Sequence, residues 1–334
     1  MTDKRARFQA VLDGETVDQI PTGFWYHFFR DELVDASGEP ELIAENINGH
    51  KGYIAAFDPD FIKLMSDGFF IYPGSADFET AADDVLLALV PLTADHPWIS
   101  GQVDLVKSQR AQFIKDIFSF YNIFAPATYL KFSFDGDDKL VAFIQQHDAK
   151  VVAHVFDVVS QSIANLAVAV IQEGGTDGIY YSTQNIQSTP DPSIFETYVK
   201  PSDFTVLSAA QGAGGTNVLH ICGYEGASNQ LGDFTDYPAD IVNWATAVEG
   251  FSLSEGRQIF PDKVLLGGFG NTTKDVLYAG SPDEIAAETQ AIIASFGQAG
   301  NRFLIGADCT VPRGTSLAHL EIARQAAKRV VITA

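Results

Sequence analysis

The chain has 334 residues, 46% of them apolar and 19% charged, with 43 acidic against 21 basic side chains and a formal net charge of −22 at pH 7. A chain this long and apolar folds around a sizeable core, and its acidic field disfavours nucleic acid and anionic membrane as partners. Two cysteines in such a length make no disulfide framework, which leaves packing, metal or catalysis for their thiols.

The amino terminus, Met-Thr-Asp-Lys-Arg-Ala-Arg-Phe, leads into no apolar stretch with a cleavage site. No apolar run reads as approaching the roughly 18 residues of a membrane helix, so the expectation is a cytoplasmic protein. Lys4 to Leu12 predicts an opening helix and Ile20 to Tyr26 a first strand. After an amphipathic stretch, Phe61 to Met65 predicts a second strand, closed by Ser66-Asp67-Gly68, and Phe118 to Phe124 a third, stopped at Ala125-Pro126. Leu140 to Gln172 reads as helical with one or two turns in it, ending at Glu173-Gly174-Gly175. Gly178 to Ser182 is the next strand, Ser193 to Gln211 a helix broken at Pro201, and Asn217 to His220 a further strand. Asp240 to Trp244 and Lys263 to Gly268 follow as strands, then a helix from about Pro282 to Phe296. Arg302 to Gly306 is the last strand and Ser316 to Arg329 the last helix.

Strands alternating with helices in this way predict a parallel sheet covered by helices. A doubly wound nucleotide fold would place a Gly-x-Gly-x-x-Gly turn after its first strand, and none is there; Gly267-Gly268 and Gly270 come late. The expected architecture is therefore a single α/β domain over residues 1–334, a (β/α)8 TIM barrel with extra N-terminal helical segments.

In such a barrel, residues at the carboxyl ends of the strands converge on one mouth. His220 and Cys222 are two apart at one strand end, so both can face the same side, and Cys309 follows the last strand. One imidazole and two thiolates form a zinc-like ligand set, and three protein ligands with a fourth position open describe a catalytic site. Taken alone, His-x-Cys also fits a satisfied core histidine beside a small buried thiol. Tyr26 and His27 after the first strand, Tyr121 and Asn122 after the third, and Ser182 with Gln184 are further candidates for lining a substrate pocket. His154 reads as structural, and His50, His96 and His147 as loop or surface positions.

His220-Ile221-Cys222-Gly223, Asp240 to Trp244, Leu265-Leu266-Gly267-Gly268 with Asn271, and Ile305-Gly306-Ala307-Asp308-Cys309 before Pro312 together resemble the carboxyl half of the uroporphyrinogen decarboxylase superfamily. Phe61 to Gly68 and Asn122 to Pro126 sit where that superfamily has comparable segments, so the resemblance spans nearly the whole chain. It implies a β/α barrel. The His-x-Cys with a distant cysteine is similar to the zinc motif of the corrinoid methyltransferase branch (methylcobalamin:coenzyme M methyltransferase-like), whereas the decarboxylases use no metal.

The resemblance to that branch implies zinc on His220, Cys222 and Cys309, a corrinoid as methyl donor or acceptor, a small thiol, a corrinoid protein as partner and a homodimer. Where the decarboxylases carry arginines, this chain has Trp25-Tyr26-His27-Phe28-Phe29-Arg30, an aromatic wall from which Trp25, Tyr26 and His27 are expected to contact substrate. Asp67 matches the acidic residue with which the decarboxylases bind pyrrole N–H groups, and so is the candidate catalytic residue; capping of the following turn is the other reading. Asn243 and Asn271 are carried over as substrate-binding candidates. Asn243 stands where related zinc enzymes have an acidic residue, which leaves Glu225, Asp233 or Asp308 to reach the metal. Decarboxylation of a tetrapyrrole carboxylate, or a non-catalytic tetrapyrrole-binding barrel, are the alternative functions.

Overall fold

The computed structural model describes residues 3–111, 117–185, 191–224, 226–296 and 301–328. In chain order, α1 (Lys4–Leu12) and α2 (Pro40–Phe57) precede β1 (Phe61–Leu64), α3 (Asp83–Leu86) and α4 (Pro97–Ala111). Then come β2 (Phe118–Phe124), α5 (Pro126–Phe134), α6 (Asp137–Gln146), α7 (Ala149–Gln172), β3 (Gly178–Thr183), α8 (Lys200–Gly212) and β4 (Val218–Ile221). The chain continues through β5 (Ile241–Trp244), α9 (Thr246–Glu249), α10 (Leu253–Ile259), β6 (Val264–Phe269), α11 (Val276–Ala279), α12 (Pro282–Phe296), β7 (Phe303–Ala307) and α13 (Leu317–Ala326).

Among the described residues, seven strands pair in sequence order, every pair parallel. The expected first strand, Ile20 to Tyr26, is not a regular strand. Pro21 has no N–H to give to a ladder, and the segment makes a single parallel bridge, Thr22 to Ile305. It nevertheless touches both sheet edges: Ile305 N donates to Pro21 O, Gly23 N to Ile305 O, and Asp60 N to Thr22 O, each at 3.0 Å. The buried Asp60 carboxylate accepts from Thr22 N at 3.0 Å.

Side chains alternate across a parallel sheet, and residues in register share a face. Phe118 and Phe120 face inward, stacked with Phe61 around Phe8 of α1, which plugs the amino end at ring distances of 4.4, 5.8 and 5.2 Å for Phe118, Phe120 and Phe61. Tyr121 and Tyr181 face outward and donate to Gln102 Oε1 (2.9 Å) and Asp203 Oδ1 (2.6 Å) of the covering helices. Asp203 also accepts from Thr183 and Tyr237, both at 2.8 Å, and burial pushes its carboxyl up to about 7.

Two helical expectations change in detail. The span from Leu140 to Gln172 is two helices, divided where Asp148 caps α7 by accepting from Lys150 N. Pro201 does not break its helix, because it lies in the first turn of α8, directly after a π-helical turn at Phe195–Val199. One reading is overturned: α7 is, by length and composition, apolar enough to cross a membrane. Its 18-residue window is 72% buried, and the helix packs against α4, α8, β2 and β3, which accounts for the apolar composition as core packing.

Candidate metal centre

The carboxyl ends of β4 and β7 bring His220, Cys222 and Cys309 together, with their ligand atoms all within 4.8 Å of one another. Cys309 Sγ lies 3.3 Å from His220 Nε2. Zinc bonds of about 2.3 Å to sulfur and 2.0 Å to nitrogen, at tetrahedral angles, require ligand atoms about 3.5–3.8 Å apart, so this donor set fits a tetrahedral ion with small side-chain adjustments.

The surrounding residues fix which nitrogen His220 presents. Asn243 of β5, in register with His220, donates Nδ2 to the carbonyls of Leu266 (2.8 Å) and Ala307 (3.1 Å), which leaves Oδ1 as acceptor. Oδ1 takes the Tyr180 hydroxyl at 2.7 Å and His220 Nδ1 at 2.5 Å, so the ring proton sits on Nδ1 and the Nε2 lone pair points at Cys309. Two acceptors 3.3 Å apart repel unless a proton or a metal ion lies between them. Gly267, on β6 beside Asn243, has a φ of 147°, a backbone conformation that glycine supplies without strain.

The two thiols share one charge. The neighbouring Cys222 holds Cys309 well below the ordinary thiol range, with His220 and Lys63 adding to the effect. Cys222 is pushed up in turn by Cys309 and by burial. The Cys222 backbone is clamped on both sides: its N donates to Thr183 O at 2.8 Å, and its carbonyl accepts from Gln184 Nε2 (2.8 Å) and Asn229 Nδ2 (3.1 Å). Asn229 is held in turn by Glu249, whose Oε1 would lie 2.2 Å from any Cβ at position 223; only glycine allows that approach. Desolvation pushes the Glu249 carboxyl up.

The other sequence-predicted residues divide. Gln184 belongs to the Cys222 clamp, its Oε1 accepting from Lys131 Nζ at 2.9 Å. Asn271 donates to Thr310 O at 3.4 Å and steadies the Cys309 loop, which Val311 N ties to Trp25 O at 2.9 Å. Trp25 lies on the concave face of the curled sheet with its ring 5.0 Å from that of Tyr180. His27 donates Nδ1 to Asp67 Oδ1 at 2.7 Å, and Asp67 Oδ2 accepts from Phe28 N at 2.6 Å, so this fully buried carboxylate orients the aromatic segment. Tyr26 packs instead on Tyr53 of α2, with burial pushing its hydroxyl up. Tyr121 is turned away from the mouth toward α4; its neighbour Asn122 faces inward and donates to Ser66 Oγ at 2.8 Å.

Among the described residues no carboxylate joins the three-residue group. Asp233 accepts from Asn185 (2.8 Å), Asp308 from Thr246 Oγ1 (2.7 Å) and Ala247 N (3.0 Å) at the start of α9, and Glu225 lies outside the described residues. His50 is not a surface position: it is fully buried in α2, Nδ1 donating to Asn46 O and Nε2 accepting from Met65 N, and burial pulls it down to about 4. The sequence reading missed Lys63, Tyr180, Asn229 and Glu249. Lys63 had a signal, as the one charged residue in Phe-Ile-Lys-Leu-Met.

A family model described as uroporphyrinogen decarboxylase (URO-D) matches residues 108–330. The chain belongs to that family. Among solved structures, a methyltransferase from Methanosarcina mazei superposes with a TM-score of 0.67 at 16% identity, covering 98% of each chain. A B12-independent methionine synthase from Shewanella sp. W3-18-1 gives 0.56 at 12% identity over 92% of this chain and 96% of its own. A putative B12-independent methionine synthase from Listeria monocytogenes gives 0.55 at 12% identity, over 94% and 98%. At these identities the likeness is one of fold. No curated protein matches the chain.

Proposed function

We propose that this URO-D family member is a zinc-dependent methyltransferase that moves a methyl group between a corrinoid and a small thiol. The observation that carries the reading is the His220–Cys222–Cys309 group, three ligand atoms within 4.8 Å at the strand ends of the family's barrel. The methyltransferase and methionine synthase names of the structural neighbours agree with methyl transfer, though the synthase is B12-independent and does not speak for the corrinoid.

Bound to these three residues, zinc would lower the pKa of a substrate thiol so that it is held as the nucleophilic thiolate at neutral pH. The protein's own part is orientation and charge. Asn243 holds the His220 tautomer, and Gln184 and Asn229 fix the carbonyl of Cys222. The paired rings of Trp25 and Tyr180, and of His27 and Phe70, supply aromatic faces that would keep water away from a transferring methyl. A methylated corrinoid, when bound, would supply the methyl group and keep the electron pair of its cobalt–carbon bond, and the substrate thiol would give its proton to solvent.

Incubating zinc-loaded protein with methylcobalamin and a panel of small thiols tests this by the change in cobalamin absorbance. Thiol-dependent loss of methylcobalamin, abolished in Cys309→Ala, is the expected result. Turnover of uroporphyrinogen with no demethylation would replace the reading with the decarboxylase one.

A further inference from the structure

Lys63 of β1 is 5% exposed and points into the barrel, where its Nζ lies 4.1 Å from the Tyr180 ring centre and 5.7 Å from that of Trp25. Among the described residues it has neither a hydrogen bond nor a carboxylate partner. Buried ammonium groups are costly unless paired, and aromatic faces compensate only in part. A second donor in the same place is also unsatisfied: Trp25 Nε1 is buried with no acceptor. Among the described residues, this place therefore holds a buried cation and a buried donor, neither with a hydrogen-bond acceptor.

The acidic groups that act on Lys63 are, largest first, Cys309, Cys222 and Asp67, and with a metal bound both sulfurs would be thiolates. Hydrogen bonds from His27 and Phe28 hold Asp67 in place without removing its charge, and its effect on Lys63 is smaller than that of the two sulfurs. Burial pulls Lys63 down to about 8, so it is still mostly protonated at neutral pH. The electrical balance of the centre then decides what Lys63 is for. A divalent ion on two thiolates and a neutral imidazole has no net charge, so a third thiolate leaves one negative charge, which the ammonium cancels.

We propose that Lys63 is the built-in counter-charge of the His220–Cys222–Cys309 centre and makes it select an anionic fourth ligand, a thiolate, over a neutral one. The inference rests on the metal-centre reading above and adds to it a specificity-determining residue from a different strand. Tyr180 links the two, with its ring under Lys63 and its hydroxyl on the Asn243 that holds His220.

The test uses Co2+-loaded protein, with ligand-field absorbance reporting the fourth position, titrated with 2-mercaptoethanol and separately with imidazole. In K63M the thiol should bind about tenfold more weakly, the loss of roughly one pKa unit of interaction, while imidazole binding stays within about twofold of wild type. K63R, which keeps the charge, should restore much of the thiol affinity; K63Q repeats the comparison should K63M fail to fold. Unchanged thiol binding in a variant that still takes up cobalt, or equal weakening of thiol and imidazole, would overturn the role of Lys63 and leave the metal centre standing. A wild-type chain that takes up no cobalt would overturn the centre itself, and this inference with it.

Discussion

The two ends of the curled seven-stranded sheet are built from the same strands and differ in what fills them. At the amino end, Phe8 fits between Phe61, Phe118 and Phe120, all buried and all apolar. At the carboxyl end, the inward positions are Lys63, Asn122, Tyr180, His220 and Asn243, equally shielded from solvent but polar; Lys63, Tyr180, Asn243 and His220 are joined through hydrogen bonds and a ring contact, and Asn122 donates to Ser66. Burial alone therefore does not separate stability from chemistry; the kind of group buried does. The floor gains from every apolar contact it makes, whereas the mouth holds polar groups that are tolerable only because each has a specified partner or awaits one.

That contrast is sharpest under mutation. Phe8→Ala should lower the unfolding free energy by about 3–5 kcal/mol, the usual cost of emptying a large aromatic site in a core, with metal stoichiometry unchanged. Chemical denaturation and metal analysis of the same preparation check both halves. Asn243→Leu should cost less in stability, about 2–3 kcal/mol for the partners left unpaired, and should also weaken zinc binding by roughly 10–100-fold because His220 loses the group that orients it. Competition against a chromophoric chelator measures the second effect; unchanged affinity would mean that Asn243 serves only the fold. The smallest change is expected from Gly223→Ala, about 1 kcal/mol, as Glu249 and Asn229 shift to make room and loosen the clamp on Cys222. Faster alkylation of Cys222 in the metal-free variant reads that loosening directly.

The sequence carried the strand and helix order well, because apolar runs and turn residues are local signals; the helix at Pro282–Phe296 has the boundaries that its sequence predicts. It also brought His220, Cys222 and Cys309 to one rim, since strand ends in a barrel share a mouth. What escaped was anything decided by register or partner. Tyr121 and Asn122 are adjacent in the middle of β2, and only the pairing of Asn122 with Tyr180 tells which of them looks inward. Tyr26 follows Trp25, yet one residue enters the barrel and the other packs on α2. The first strand failed at Pro21, whose missing donor leaves one bridge where a ladder was expected. Lys63 passed without a role inside a predicted strand because the groups around it, Tyr180, Trp25 and two thiols, lie on other strands and loops.

The central claim is that three side chains distant in sequence hold one metal ion, and the most direct measurement is the zinc content of protein purified without added metal. The account predicts about one zinc per chain in the wild type, and close to none in His220→Ala and in Cys309→Ala proteins whose melting shows them folded. Stoichiometry retained in both variants, or a folded wild type that binds no zinc even when it is supplied, would contradict it.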